Sequence, residues 1–218
     1  MRVAALYDIH GNLPALDAVL AELPDVDAIV VGGDVVPGPL GRETLDRIAG
    51  LDGVHYVMGN GDRESAEEFP EVAGWPATVT LDVDGLGPVL FCHGSPRSDT
   101  ETITVLTGED RLAPMLEGVQ ERVIVGGHTH RQFDRTLLGR RIVNAGSVGL
   151  PYEGVAGAFW ALLGPGVELR RTAYDVEAAV ERLTAAGGPA VQYLEESLVN
   201  PADPDEVARH FEGLTIEG

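Results

Sequence analysis

Seven side chains able to ligate a metal stand at the ends of short apolar runs. Asp8 and His10 follow Val3-Ala4-Ala5-Leu6, Asp34 follows Ile29-Val30-Val31, and Asn60 follows the run from Val54 to Met58. His93 follows the run from Val89 to Cys92, and His128 and His130 follow Val123-Ile124-Val125. The set holds two carboxylates, one amide and four imidazoles, with no thiolate. Such oxygen and imidazole donors suit borderline divalent ions: Mn²⁺, Fe²⁺, Zn²⁺, Co²⁺ or Ni²⁺. They are too many for one four-coordinate zinc. They suit two ions about 3.5–4 Å apart sharing one carboxylate. In Asp-x-His and His-x-His, an i, i+2 pair points the same way from extended backbone. Glycines beside Asp34, Asn60, His93 and His128 allow the tight backbone each turn needs.

Two ions bridged by hydroxide provide a nucleophile at neutral pH and clamp the oxygens of a phosphoryl group. The reaction expected is in-line attack of a metal-bridging hydroxide on phosphorus, with no covalent enzyme intermediate.

The elements that must position these groups can be read in order. Met1 to Tyr7 reads as a buried strand. A helix follows, with Asn12 as N-cap, Pro14 in its first turn, and Leu13, Leu16, Val19, Leu20 and Leu23 as its apolar face. Ala28 to Val31 is a second strand, a short helix ends near Gly50, and Val54 to Met58 is a third strand. This alternation argues for βαβ units and a parallel sheet, whose ligands collect at the strands' carboxyl ends. Asp8, Asp34 and Asn60 are expected there, on loops. Thr78–Val83 and Val89–Cys92 read as a hairpin. Ser95 to Gly118 reads as a loop with a short helix, a natural place for a substrate-facing cap. Further strands are expected at 123–125, 132–138, 141–144, 155–163 and 167–173. From Asp175 the tail reads as helical, with a break at Gly187-Gly188-Pro189. The expected architecture is one α/β domain over residues 1–218, with two packed mixed sheets flanked by helices.

Composition excludes several chemistries. The chain of 218 residues carries 35 acids against 15 bases, a net charge of −20. That surface disfavours long nucleic acid. Every base is arginine, so a P-loop lysine, a Schiff base and a Ser-Lys dyad are absent. The single cysteine, Cys92, rules out an internal disulfide framework. No apolar run reaches the roughly 18 residues of a membrane span, and an acid at Asp8 leaves no room for a secretory segment. A cytoplasmic protein is expected.

The blocks Asp8-Ile9-His10, Gly33-Asp34, Gly59-Asn60, His93-Gly94 and Gly127-His128-Thr129-His130 together resemble those of the calcineurin-like metallophosphoesterases, in particular the small bacterial and archaeal phosphodiesterases. The resemblance runs from residue 3 to about 150 and includes Asn144-Ala145-Gly146-Ser147. It implies an α/β/β/α sandwich. It also implies one ion on Asp8, His10, Asp34 and His130 and a second on Asp34, Asn60, His93 and His128, with Asp34 bridging. Mn²⁺ is the ion expected, Asp34, Asn60 and His128 the catalytic residues, and a small phosphate ester or nucleotide the substrate. Many members carry a histidine after the Gly-Asn pair, as phosphate binder or general acid. Here that position is Gly61. Losing a general acid costs about 10²–10⁴-fold with a poor leaving group. Gly61 also supports a rival reading, since some members of the superfamily are scaffold or regulatory proteins without useful turnover.

Other groups have simpler readings. Cys92 alternates away from His93 and reads as a core residue. Ala145-Gly146-Ser147-Val148-Gly149 nearly matches a nucleophile elbow but lacks its first glycine, and Pro151 interrupts any following helix. His55 and His210 read as structural or surface residues. Arg63, Arg97 and Arg131 adjoin the proposed ligands, where a guanidinium fork could meet phosphate or pair with one of the many acids.

Overall fold

In the computed structural model, residues 1–188 and 190–214 are described. The first sheet is built from β1 (Val3–Leu6), β2 (Ala28–Val31) and β3 (Val54–Tyr56), all parallel, with β9 (Ala158–Leu163) antiparallel beside β1 and β10 (Val167–Thr172) antiparallel to β9 at the edge. The second sheet takes β4 (Thr78–Val83), β5 (Gly87–Cys92), β6 (Val123–Gly126), β8 (Arg140–Asn144) and β7 (Phe133–Leu137), in that spatial order. Within it β5, β6 and β8 are parallel.

Alternation along each strand splits the core into layers. Val3, Ala5 and Tyr7 meet Val89, Phe91, Val125 and Val143 between the sheets. Ala4 and Leu6 face the other way, with Leu16 and Val19 of α1 (Leu13–Glu22) and Leu45 and Ile48 of α2 (Gly41–Ala49). Burial on both faces is why β1 reads as an unbroken apolar run. Each fully buried Val or Leu contributes about 1.5–3 kcal/mol relative to exposure. On the outer face of the second sheet, Leu90, Cys92, Ile124 and Ile142 pack on Leu112 and Met115 of α4 (Glu109–Met115). The result is the expected two-sheet sandwich with helices outside.

Local readings hold in part. Asn12 caps α1, its side chain accepting from the Ala15 N–H at 3.2 Å. Asn60 opens a short helix, α3 (Asn60–Glu64), rather than lying on a loop, because the Asp62 carboxylate accepts the Gly59 N–H and closes the turn. Within 95–118, α4 packs against the second sheet, while the loop before it runs beside the ligand segments, Asp99 meeting Arg63 and Ile103 O accepting from Thr129. The tail forms α5 (Val176–Ala186), α6 (Val191–Val199) and α7 (Pro204–Leu214). Pro189, read as part of the break between helices, lies outside the described residues, as do 215–218. Among the described residues no helix is long and apolar enough to cross a membrane.

Candidate metal centre

Every proposed ligand follows a strand that runs parallel within its sheet, so all emerge at one edge of the sandwich. Asp8 and His10 leave β1, and Asp34 leaves β2. Their loops are zipped by the Asp8 N–H donating to Gly33 O at 3.0 Å and the His10 N–H donating to Asp34 O at 2.9 Å. His93 leaves β5; His128 and His130 leave β6. Asp8, His10, Asp34, His128 and His130 all have positive φ, from 49° to 64°. Non-glycine residues adopt that left-handed conformation uncommonly, though Asp and His do so more readily than most, and each costs on the order of 1 kcal/mol or more. Five such residues are held at one sheet edge, where their side chains converge.

They converge as two groups. Ligand atoms of Asp8, His10 and His130 lie within 4.8 Å of one another, as do those of Asp34, His93 and His128. Each group combines residues from both sheets. Asp34 Oδ2 stands 3.9 Å from His10 Nε2 and 3.6 Å from His93 Nε2, so this one carboxylate oxygen faces both groups.

Hydrogen bonds decide which atoms face inward. Asp8 Oδ2 accepts the His128 N–H at 2.9 Å, which leaves Oδ1 directed at the imidazoles, 3.2 Å from His130 Nε2. Asp34 Oδ1 accepts the Gly61 N–H at 2.7 Å, leaving Oδ2 for the site. His93 Nδ1 lies 2.9 Å from Gly32 O, and His130 Nδ1 lies 2.7 Å from Leu150 O. A carbonyl only accepts, so each Nδ1 carries the hydrogen and each Nε2 presents a lone pair inward. Three buried atoms are left without a hydrogen-bond partner here: Asp8 Oδ1, Asn60 Oδ1 and His93 Nε2. Buried polar atoms without partners are costly. A cation satisfies all three, and the oxygen and nitrogen donors suit a divalent metal.

The electrostatics agree for His128 and His10, whereas at His93 burial is outweighed by the Asp34 and Asp8 carboxylates, which raise it. Burial pushes His128 down to about 4, with His93 acting in the same direction. Burial likewise lowers His10, with His130 adding to it. Neutral imidazoles are the form that binds metal. Burial alone would raise Asp8, yet the surrounding His130 and His93 outweigh it and hold the carboxyl well below the usual range.

Residues not proposed as ligands complete the frame, and of these Asp62 is assigned no role by the sequence. Asp62 is fully buried and accepts the Val35 and Val36 N–H groups at 2.8 and 3.1 Å, pinning the Asp34 loop to α3. Asn144 donates to Gly127 O at 2.7 Å. Gly127 itself cannot carry a side chain, since a Cβ there would lie 2.5 Å from Asp8 Oδ2. Ser147 is buried, donates to Asp8 O at 2.7 Å and accepts from the Leu150 N–H, a fastening role rather than a nucleophile's. Burial pushes the Cys92 thiol up to about 12, so it too is no nucleophile.

The flanking arginines are engaged by acids and carbonyls. Arg63 pairs with Asp99, Arg97 with Glu101, and Arg131 with Asp205 and Pro204 O. His55 lies half-buried within β3. His210 is exposed on α7, in the cavity wall described below. At Gly61 a Cβ would meet Pro37 Cγ at 2.7 Å, so Pro37 occupies the space a side chain would need.

Residues 1–163 match the model of the calcineurin-like phosphoesterase superfamily domain, and the chain belongs to that family. A metallophosphoesterase from Sphaerobacter thermophilus is similar over 93% of this chain and 100% of its own, at 26% identity and TM-score 0.76. A hypothetical protein from Pyrococcus horikoshii aligns over 93% and 99%, at 18% identity and TM-score 0.74. Yfce, a phosphoesterase from E. coli, aligns over 74% and 87%, at 22% identity and TM-score 0.52. The last two likenesses are of fold. No curated protein matches the chain by sequence.

Proposed function

We propose that this chain is a metal-dependent phosphoric ester hydrolase acting on phosphodiesters or small nucleotides. The observation that carries the reading is the pair of ligand groups Asp8–His10–His130 and Asp34–His93–His128, which Asp34 Oδ2 faces together, with Asp8 Oδ1 and His93 Nε2 buried, unpartnered and 3.8 Å apart. One ion would be held by Asp8, His10, Asp34 and His130, and a second by Asp34, Asn60, His93 and His128, with Mn²⁺ the leading candidate. Two such ions supply an activated water at neutral pH and neutralise charge on a phosphoryl group. The protein's own part is positioning. Gly61 N–H and His128 N–H each fix one oxygen of a ligand carboxylate, so the other oxygen is aimed without freedom to rotate. Leu150 O and Gly32 O set the tautomers of His130 and His93. Asp34, Asn60 and His128 line the site as the residues closest to the reaction.

With Gly61 in place of a side-chain acid, aryl esters should be cleaved about 10²–10⁴-fold better than alkyl esters. The test is hydrolysis of bis-p-nitrophenyl phosphate and p-nitrophenyl phosphate after EDTA treatment and Mn²⁺ reloading. Activity should vanish with EDTA, return with Mn²⁺, and favour the diester. Asp34→Asn should lose metal and activity together. An Mn²⁺-loaded protein that cleaves neither ester overturns the reading. It would favour the scaffold alternative, for which Gly61 is the supporting residue.

A further inference from the structure

A cavity of about 410 Å³ opens between Tyr152, on the loop joining β8 to β9, and the two C-terminal helices. Two of its lining rings adjoin the metal centre. The Tyr152 ring stacks on His130, centroids 4.9 Å apart and planes 18° off parallel, and Phe211 faces His128 across 6.3 Å. A group bound there lies against rings that themselves adjoin His130 and His128, which makes the cavity a seat for the organic part of a phosphoester.

The helix carrying Phe211 is fastened in place. Arg131 pairs with Asp205 at 2.9 Å and donates to Pro204 O at 2.9 Å. Thr104 donates to Glu212 at 2.6 Å. The cavity is therefore a fixed feature with aromatic walls: Tyr152, Tyr193 and Phe211. The Tyr152 and Tyr193 hydroxyls bond to each other, and Tyr152 and Phe211 meet at 39°. Neither lysine nor arginine lines it, but Asp203 and Glu206 do. Asp203 is committed to capping α7, accepting the Asp205 and Glu206 N–H groups at 2.9 Å each. The Glu206 carboxylate has no hydrogen bond or ion pair among the described residues.

Resting on the phosphoesterase reading, we propose that this cavity receives a quaternary ammonium group, and that the substrate is a phosphoester of an ammonium alcohol. Tilted aromatic faces with an uncommitted carboxylate attract a cation with an apolar shell, and the volume falls in the range of small-ligand sites. A nucleobase sandwich needs two nearly parallel faces, which the 39° between Tyr152 and Phe211 does not offer. Tyr152 already has His130 against one face, and Phe211 is tilted across from it.

Choline, its neutral isostere 3,3-dimethylbutan-1-ol and thymidine test this by calorimetric titration of EDTA-treated protein. Choline should bind about tenfold more tightly than the isostere, and thymidine no better than the isostere. Glu206→Gln and Tyr193→Leu should each close the gap between choline and isostere. With Mn²⁺, p-nitrophenyl phosphocholine should exceed p-nitrophenyl 3,3-dimethylbutyl phosphate in kcat/KM by the same factor. Equal binding of choline and isostere, or tighter binding of thymidine, overturns the proposal. Choline preference without hydrolysis of any aryl ester supports the cavity's assignment and defeats the phosphoesterase reading. Hydrolysis of both aryl esters at equal rates does the reverse.

Discussion

His10 and His130 bring their Nε2 atoms to 3.2 Å, with Asp8 Oδ1 3.2 Å from the second of them. His130 holds its hydrogen on Nδ1, against Leu150 O. Its Nε2 lone pair therefore faces another imidazole nitrogen and a carboxylate oxygen. Such a cluster is a source of strain until a cation enters it.

Metal should therefore stabilise the fold measurably. At a free Mn²⁺ concentration one hundred times Kd, the EDTA-treated protein should gain about 2.7 kcal/mol in urea unfolding. Asp8→Asn should largely abolish the gain at the same concentration. Identical curves with and without metal would contradict the account of the site.

Pro37 and Gly61 should prove interdependent. Because a Cβ at 61 would sit 2.7 Å from Pro37 Cγ and 3.1 Å from Asp34 Oδ1, Gly61→His should destabilise by about 1–3 kcal/mol through overpacking. Pro37→Ala in the same molecule should recover part of the loss. Additive effects in a double-mutant cycle would show that the two positions do not share the space.

Asp62 should matter although it faces away from the ligand atoms. Asp62→Ala leaves the Val35 and Val36 N–H groups buried without acceptors, at about 1–3 kcal/mol for each. By loosening the Asp34 loop it should also weaken metal binding about 10–100-fold. Asp62→Asn keeps one acceptor oxygen and should be milder on both readouts. An alanine variant with native thermal stability and metal affinity would refute this role.

The Arg97–Glu101 pair gives a pH dependence of known sign. Its side-chain hydrogen bond from Arg97 is the leading cause holding Glu101 below its ordinary 4.5. The pair's contribution is therefore present above about pH 4.5 and lost as pH falls through the lowered value. Its exposure limits the contribution to roughly 1 kcal/mol or less. Arg97→Ala should lower stability at pH 7, by a margin that narrows as pH falls from about 4.5 to 3. A constant gap across that range would mean the pair is not what couples the loop to pH.

Much of this was legible because each ligand follows a short strand, and a buried strand announces itself by an apolar run with a glycine turn. Asp8, His10, Asp34, His93, His128 and His130 stand out together at such strand ends, and the structure brings them into two groups. Other features depend on contacts distant in sequence. Nothing in the Ala158–Leu163 run tells that it pairs antiparallel with β1 rather than extending the second sheet. Asp62 looks like one more surface acid until Val35 and Val36 are seen to donate to it. The apolar spacing of Val176, Val180 and Leu183 predicts a helical tail, but not that Phe211 ends near His128.

The order of these residues along the chain has a further consequence. All seven ligands precede residue 131, whereas Tyr193, Glu206 and Phe211 come from the last two helices. On the proposed reading, reactivity and choice of substrate are written largely in separate stretches of the same polypeptide, joined where Arg131 and Thr104 hold the last helix. Exchanging the closing stretch would then retarget the molecule while leaving the proposed ligands in place.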